Sequence, residues 1–152
     1  VYDTDFTAKH ATVILIATVR EIMPARWTTL DGARPSNPCG LMVNPYSIFT
    51  PMVFDVEQVL KGQVPVSPLL VFGRGGVVGQ DSLEIRPDPD DFRTGERILV
   101  FLNGPYTIIP NSNPLWVTAG HYHLNDDGEA INIYGNMPLV QLIDEIQQAV
   151  DQ

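Results

Sequence analysis

One cysteine, Cys39, is all the chain has, so no intrachain disulfide can form and the cross-linked framework of small secreted scaffolds is excluded. Cations are scarce as well: Lys and Arg number 9 against 18 Asp and Glu, a formal charge of −9. Such a surface repels phosphate backbones, whose binding rests on cations that displace counterions, and it repels anionic membranes for the same reason. Nucleic acid is therefore a poor partner. The longest apolar run, Ala11–Val19, is interrupted by threonines and too short to cross a bilayer, so no membrane insertion is expected. Catalytic signatures are missing too. There is no G-x-S-x-G and no G-K-S/T, and in Gly73–Gly79 valine at position 78 breaks the G-x-G-x-x-G pattern that would cradle a phosphate.

What the chain does have is punctuation. Pro (13) and Gly (12) are scattered between apolar stretches, the pattern of many short strands joined by turns. At 152 residues it fits one domain, spanning 1–152, which buries roughly 70% of its unfolded surface without staples. Ala11–Val19 is rich in β-branched residues and apolar on both faces, so it reads as a buried first strand. In Ser47–Leu60, period two puts Ile48, Met52, Phe54, Val56 and Leu60 on one face, with Asp55 and Glu57 opposite. Pro68–Phe72 is a third strand ending in a glycine-rich turn, and Ser82–Arg86 a short fourth. Arg97–Leu102 is a central strand, followed by a turn at Asn103-Gly104-Pro105 and a short edge strand at Tyr106–Ile109. Leu115–Leu124 and Glu129–Tyr134 flank Asn125-Asp126-Asp127-Gly128 as a hairpin. The period then changes. Leu139, Leu142, Ile143, Ile146 and Val150 lie at helical spacing, with Pro138 suited to the first turn, so an amphipathic helix over about 138–150 ends the chain. Between the first two strands, Pro24–Tyr46 holds enough breakers to deny it regular structure, and it is long for a loop.

The strand wording narrows this mainly β class. Phe54-Asp55-Val56-Glu57-Gln58-Val59-Leu60-Lys61-Gly62 resembles the F-x-V-x-x-V-L-K-G element of netrin-like domains. Gly95-Glu96-Arg97-Ile98-Leu99-Val100-Phe101-Leu102 resembles the strand that follows it in their bacterial relatives. With the Ala11–Val19 strand and the Gly75-Gly76 turn, these blocks cover about half of the chain in the family's order. The resemblance implies a small OB-type barrel, shared with tissue inhibitors of metalloproteases, in an extracytoplasmic or secreted protein. Those inhibitors chelate a catalytic zinc through an N-terminal cysteine pinned by disulfides. Here Val1 stands at that place, which fits a processed or trimmed chain, and their inhibitory mechanism does not carry over.

Few residues invite chemistry. His121-Tyr122-His123 on a strand would point both imidazoles the same way, able to grip a zinc ion if Asp126, or else His10, Asp127 or Glu129, supplied a third ligand. The competing reading is two histidines on a solvated strand. Asp88-Pro89-Asp90-Asp91 offers carboxylates to calcium, yet it falls short of the six to eight oxygens that ion takes and reads first as an acidic turn. Cys39 is a free thiol with nothing local to lower its pKa. Trp27, with Arg34 and Tyr46 in the same loop, is a candidate contact for a protein or small ligand. Trp116 is another, although its alternation with Thr118, Tyr122 and Leu124 equally suits core packing. The expectation is a non-catalytic binding module with no cofactor, using the 24–46 loop and the adjoining barrel rim. A metal-dependent hydrolase built on His121 and His123, or a structural spacer of a surface protein, are the alternatives.

Overall fold

The structure, a computed structural model, describes residues 4–36, 46–64, 67–84, 91–132 and 134–151. Strand β1 (Val13–Ile22) lies between β3 (Ile48–Lys61) and β6 (Arg97–Tyr106), antiparallel to both. Its odd-numbered residues Val13, Leu15, Ala17 and Val19 join one core, and Ile14 and Ile16 join another. In β6, Ile98, Val100 and Leu102 face the first core while Leu99 and Phe101 face the second. An antiparallel strand usually alternates apolar and polar residues because one face meets water. These two meet a barrel interior on one side and a helical layer on the other, so both faces stay apolar.

The barrel closes where β4 (Leu69–Val78) runs parallel to β7 (Leu115–Leu124), with Val71 opposite Trp116 and Phe72 opposite Val117. The circuit β1–β3–β4–β7–β6 and back to β1 is a closed five-stranded barrel of OB type. Closure leaves these strands without free edges. Met52, Phe54, Leu69, Val71 and Trp116 fill the interior, and each fully buried side chain of this size contributes about 1.5–3 kcal/mol. Four short strands extend the sheet: β2 (Arg26–Trp27) on β3, β5 (Asp81–Glu84) on β4, and the pair β8 (Glu129–Asn132) and β9 (Gly135–Pro138) beyond β7. The β7–β8 turn forms as anticipated, with Asn125 Oδ1 accepting from the amides of Asp127 and Glu129 at 3.0 and 2.9 Å.

The C-terminal helix, α2 (Leu139–Val150), follows Pro138 and buries Leu142, Ile146 and Ala149 against the outer faces of β1 and β6. A helix that the periodicity does not announce, α1 (Thr4–His10), lies beside it and contributes Ala8 to the same core. Seven residues make about two turns, too few for a helical period to register against the strand that follows. Tertiary contacts hold it. Lys61 Nζ donates to the carbonyls of Ala8 and Lys9 at 3.0 and 2.9 Å, satisfying acceptors at the helix C-terminus. No helix among the described residues is long and apolar enough to cross a membrane.

Several sequence readings are corrected. Gly73–Val78 is strand, not turn; the backbone kinks at Gly75 and Gly76, with φ of 98° and 140°, and carries β4 off the barrel to pair with β5. Asn103–Pro105 likewise continues β6 as far as Tyr106, and residues 107–109 form no strand. In β3, Met52, Phe54 and Val56 share the interior as expected, but Leu60 packs on the helix side. Register shifts against β1 leave Glu57 and Leu60 as extra residues, which breaks the alternation. A further extra residue, Ala119 in β7, decides where the histidines go.

Candidate functional site

Before that bulge Trp116 and Thr118 face the barrel interior; after it Tyr122 and Leu124 turn to the helix side. The expected common face of Trp116, Tyr122 and Leu124 is thus split. His121 and His123 lie opposite Val100 and Ile98, so both rings point into the barrel end, 4.9 Å apart and edge-on. Phe92, only 4% exposed, stacks on His121 at 4.1 Å and packs against Phe54 at 5.9 Å. His123 Nδ1 pairs with Glu96 Oε2 at 3.0 Å. Burial, and secondarily the charge that His123 can carry, push the His121 pKa down from 6.5 to about 4, so its ring is neutral at ordinary pH. Its Nδ1 is buried with no hydrogen-bond partner among the described residues.

This cluster is a plug. The groups packed on His121 are the Phe92 phenyl ring and the His123 imidazole. Asp126 and Asp127 are exposed in the hairpin turn, and Glu129 is engaged by Asn125 and Asn136. His10 stacks on Phe6 within α1 and bonds to the Phe6 carbonyl through Nδ1. Among the described residues no three His, Cys, Asp or Glu side chains gather as a metal would require. Cys39 and Asp88–Asp90 lie outside the described residues, and Asp91 is exposed.

The second candidate forms where the early loop meets the barrel wall. The start of that loop is regular after all: β2 pairs with β3, Arg26 opposite Phe49 and Trp27 opposite Ile48. A tight turn follows, in which the Trp27 amide donates to the Gly32 carbonyl at 3.1 Å and Gly32 takes a φ of 75°. Arg26 Nη2 donates to the carbonyls of Thr29 and Leu30, stitching the turn from inside. Asp31 Oδ1 accepts from the Ala33 amide and the Thr29 hydroxyl, which holds the Asp31 carboxyl below its usual 3.8. The two ends of the loop meet through the Thr28 amide on the Ser47 carbonyl, 2.8 Å, and the Ser47 amide on Thr28 Oγ1, 3.0 Å. Gly76 lets the loop lie close, since a Cβ there would come within 2.5 Å of the Ala25 Cβ.

Docked in this way, the loop walls one side of a cleft of about 360 Å³. Thr28, Ser47, Ile48 and Phe49 line it with Phe72 and Arg74 of β4 and Tyr106 and Ile108 across the barrel wall. Phe49 and Phe72 meet edge to face, centroids 5.8 Å apart, on the outer surface of the barrel. The floor is apolar, and Arg74 is exposed at its margin.

Of the residues singled out in the sequence, Trp27 and Trp116 are both buried to 8% exposure, Trp116 in the barrel interior and Trp27 with its indole Nε1 unpartnered among the described residues. Arg34 ties the loop to β5 through Asp81 at 3.5 Å. Tyr46 is exposed beside Ser47. The cleft residues Phe49, Phe72, Arg74, Tyr106 and Ile108 escaped the sequence reading. The available signal was an aromatic on the wrong face: Phe49 and Phe72 alternate against the interior residues Met52 and Val71. Neither a protein-family model nor a curated protein matches the chain.

Proposed function

We propose that this chain is a non-catalytic binding module, netrin-like in its strand sequences and extracytoplasmic, that holds its ligand in the cleft between the early loop and the barrel wall. The observation that carries the reading is the cleft itself: a preformed, mostly apolar hollow of about 360 Å³, within the range of small-molecule sites. Its position supports the same reading. Counting round the barrel, β3 and β4 are the second and third strands, the 24–46 segment joins the first two, and residues 107–114 join the last two. OB barrels carry their ligands on this face and between these loops, a fold-level analogy that says where and not what. The charge of −9 argues against the nucleic acids that many such barrels bind.

An amide-resolved NMR screen with small aromatic and aliphatic fragments tests the proposal. Binders should perturb Phe49, Phe72 and Tyr106 together, and Phe49→Ala should abolish those shifts while the barrel stays folded. Binders that consistently map elsewhere, such as the His121 end, would overturn it.

A further inference from the structure

We propose that the cleft selects a small organic carboxylate, with an aromatic or branched aliphatic body on Phe49 and Phe72 and its carboxylate held by Arg74. The inference rests on the binding-cleft reading above and names the ligand class. Three observations support it.

The first is a row of side chains across three strands. Arg26 of β2 pairs with Phe49 of β3, and Phe49 pairs with Arg74 of β4. Directly opposed residues share a face, so Phe49 lies between two arginine positions. The Arg26 guanidinium carbon is 5.7 Å from the Phe49 centroid, and Arg74 lines the cleft beside that ring.

The second is how the arginines are paired. Arg20, Arg34 and Arg97 each hold a carboxylate, those of Asp55, Asp81 and Glu57, at 2.9, 3.5 and 2.6 Å. Among the described residues Arg26, Arg74 and Arg93 have no carboxylate at salt-bridge distance, although acids outnumber bases two to one in the sequence, and of these three Arg74 lines the cleft. Arg26 spends Nε and Nη2 on loop carbonyls. Arg74 keeps the planar fork that matches a carboxylate with two parallel hydrogen bonds. The net negative charge does not cancel this. At physiological salt the screening length is about 8 Å, so distant surface carboxylates weigh little against a guanidinium in contact.

The third is size. A hollow of about 360 Å³ lies at the small end of ligand pockets, which suits a single ring or branched chain with one acidic group.

An amide-resolved NMR titration of the full chain with benzoate and with its neutral counterpart benzyl alcohol tests this. Both should shift Phe49 and Phe72, with benzoate binding roughly tenfold tighter, the gain of one charge-assisted pair. The margin should collapse in Arg74→Gln, survive only in part in Arg74→Lys, which keeps the charge but loses the fork, and shrink as salt is raised. Equal affinities in the wild type, or a margin that persists in Arg74→Gln, would overturn the carboxylate assignment and leave the cleft standing. If neither compound perturbs Phe49 or Phe72, the cleft reading fails and this inference fails with it.

Discussion

Replacing His121 with leucine takes a titratable ring out of the barrel end and fills nearly the same space with carbon. The consequence depends on pH. In the folded chain His121 titrates at about 4, against 6.5 when solvated, because its ring is enclosed by Phe92 and His123. Between those two values the unfolded chain binds a proton that the folded chain refuses, so acid favours unfolding. The stability at stake is complete above pH 6.5, declines as pH falls toward 4, and loses nothing more from this group below that. The difference between the two pKa values sets it at about 3 kcal/mol. For a domain of this size that is on the order of 1–2 M in urea midpoint. His121→Leu should lack this component. Above pH 6.5 it should equal or exceed the wild type, since the buried Nδ1, unpartnered among the described residues, is gone. Urea unfolding across the acid range, wild type against variant, isolates the contribution because the other titrating groups cancel in the difference. Parallel curves from pH 6.5 down to 4, or a His121 ring signal that titrates near 6.5, would refute the reasoning.

Other perturbations probe the same architecture. Phe92→Ala should cost about 3–5 kcal/mol, the usual range for a buried phenylalanine, and should admit water to His121 and raise its pKa toward 6.5; melting and a histidine NMR titration read the two effects separately. Gly76→Ala sets a Cβ against Ala25 and Thr50 at a φ of 140°, so about 2–4 kcal/mol should be lost and the loop should lift, seen as a red shift of Trp27 emission in a Trp116→Phe background. A variant that keeps both stability and emission would mean the loop does not rest on β4. Lys61→Met removes two hydrogen bonds from the end of α1 at a cost of about 1 kcal/mol, and hydrogen exchange should quicken in α1 while β1 and β6 keep their protection.

The legible parts of the fold were those where one residue type repeats at one spacing. The unbroken apolar run of Ile98–Leu102 required burial on both faces, and the helical period from Leu139 to Val150 required a surface to lie on. α1 was not legible, because its two turns are held by Lys61 and the neighbouring helix and not by a pattern of its own. The candidate site was harder to read. His121 and His123 were identified as a pair on one face, and the structure brings them together. Which face they occupy depended on Ala119, an extra residue that leaves no mark in the sequence. The cleft was invisible for a related reason: Phe49 and Phe72 read as ordinary strand aromatics until β3 and β4 set them side by side outside the barrel.

Composition and periodicity alone determined that this chain is mainly β, is closed by a terminal helix, cannot form an internal disulfide and carries a formal charge of −9. Each of these follows from local spacing or from a count, quantities a linear chain holds in full. Only the tertiary structure decided that the histidines form a plug under Phe92, that Trp27 and Trp116 are buried, and that Arg26, Phe49 and Arg74 align across three strands. Those outcomes depend on register, and register is fixed by bulges and by the parallel β4–β7 closure, between residues far apart in the chain.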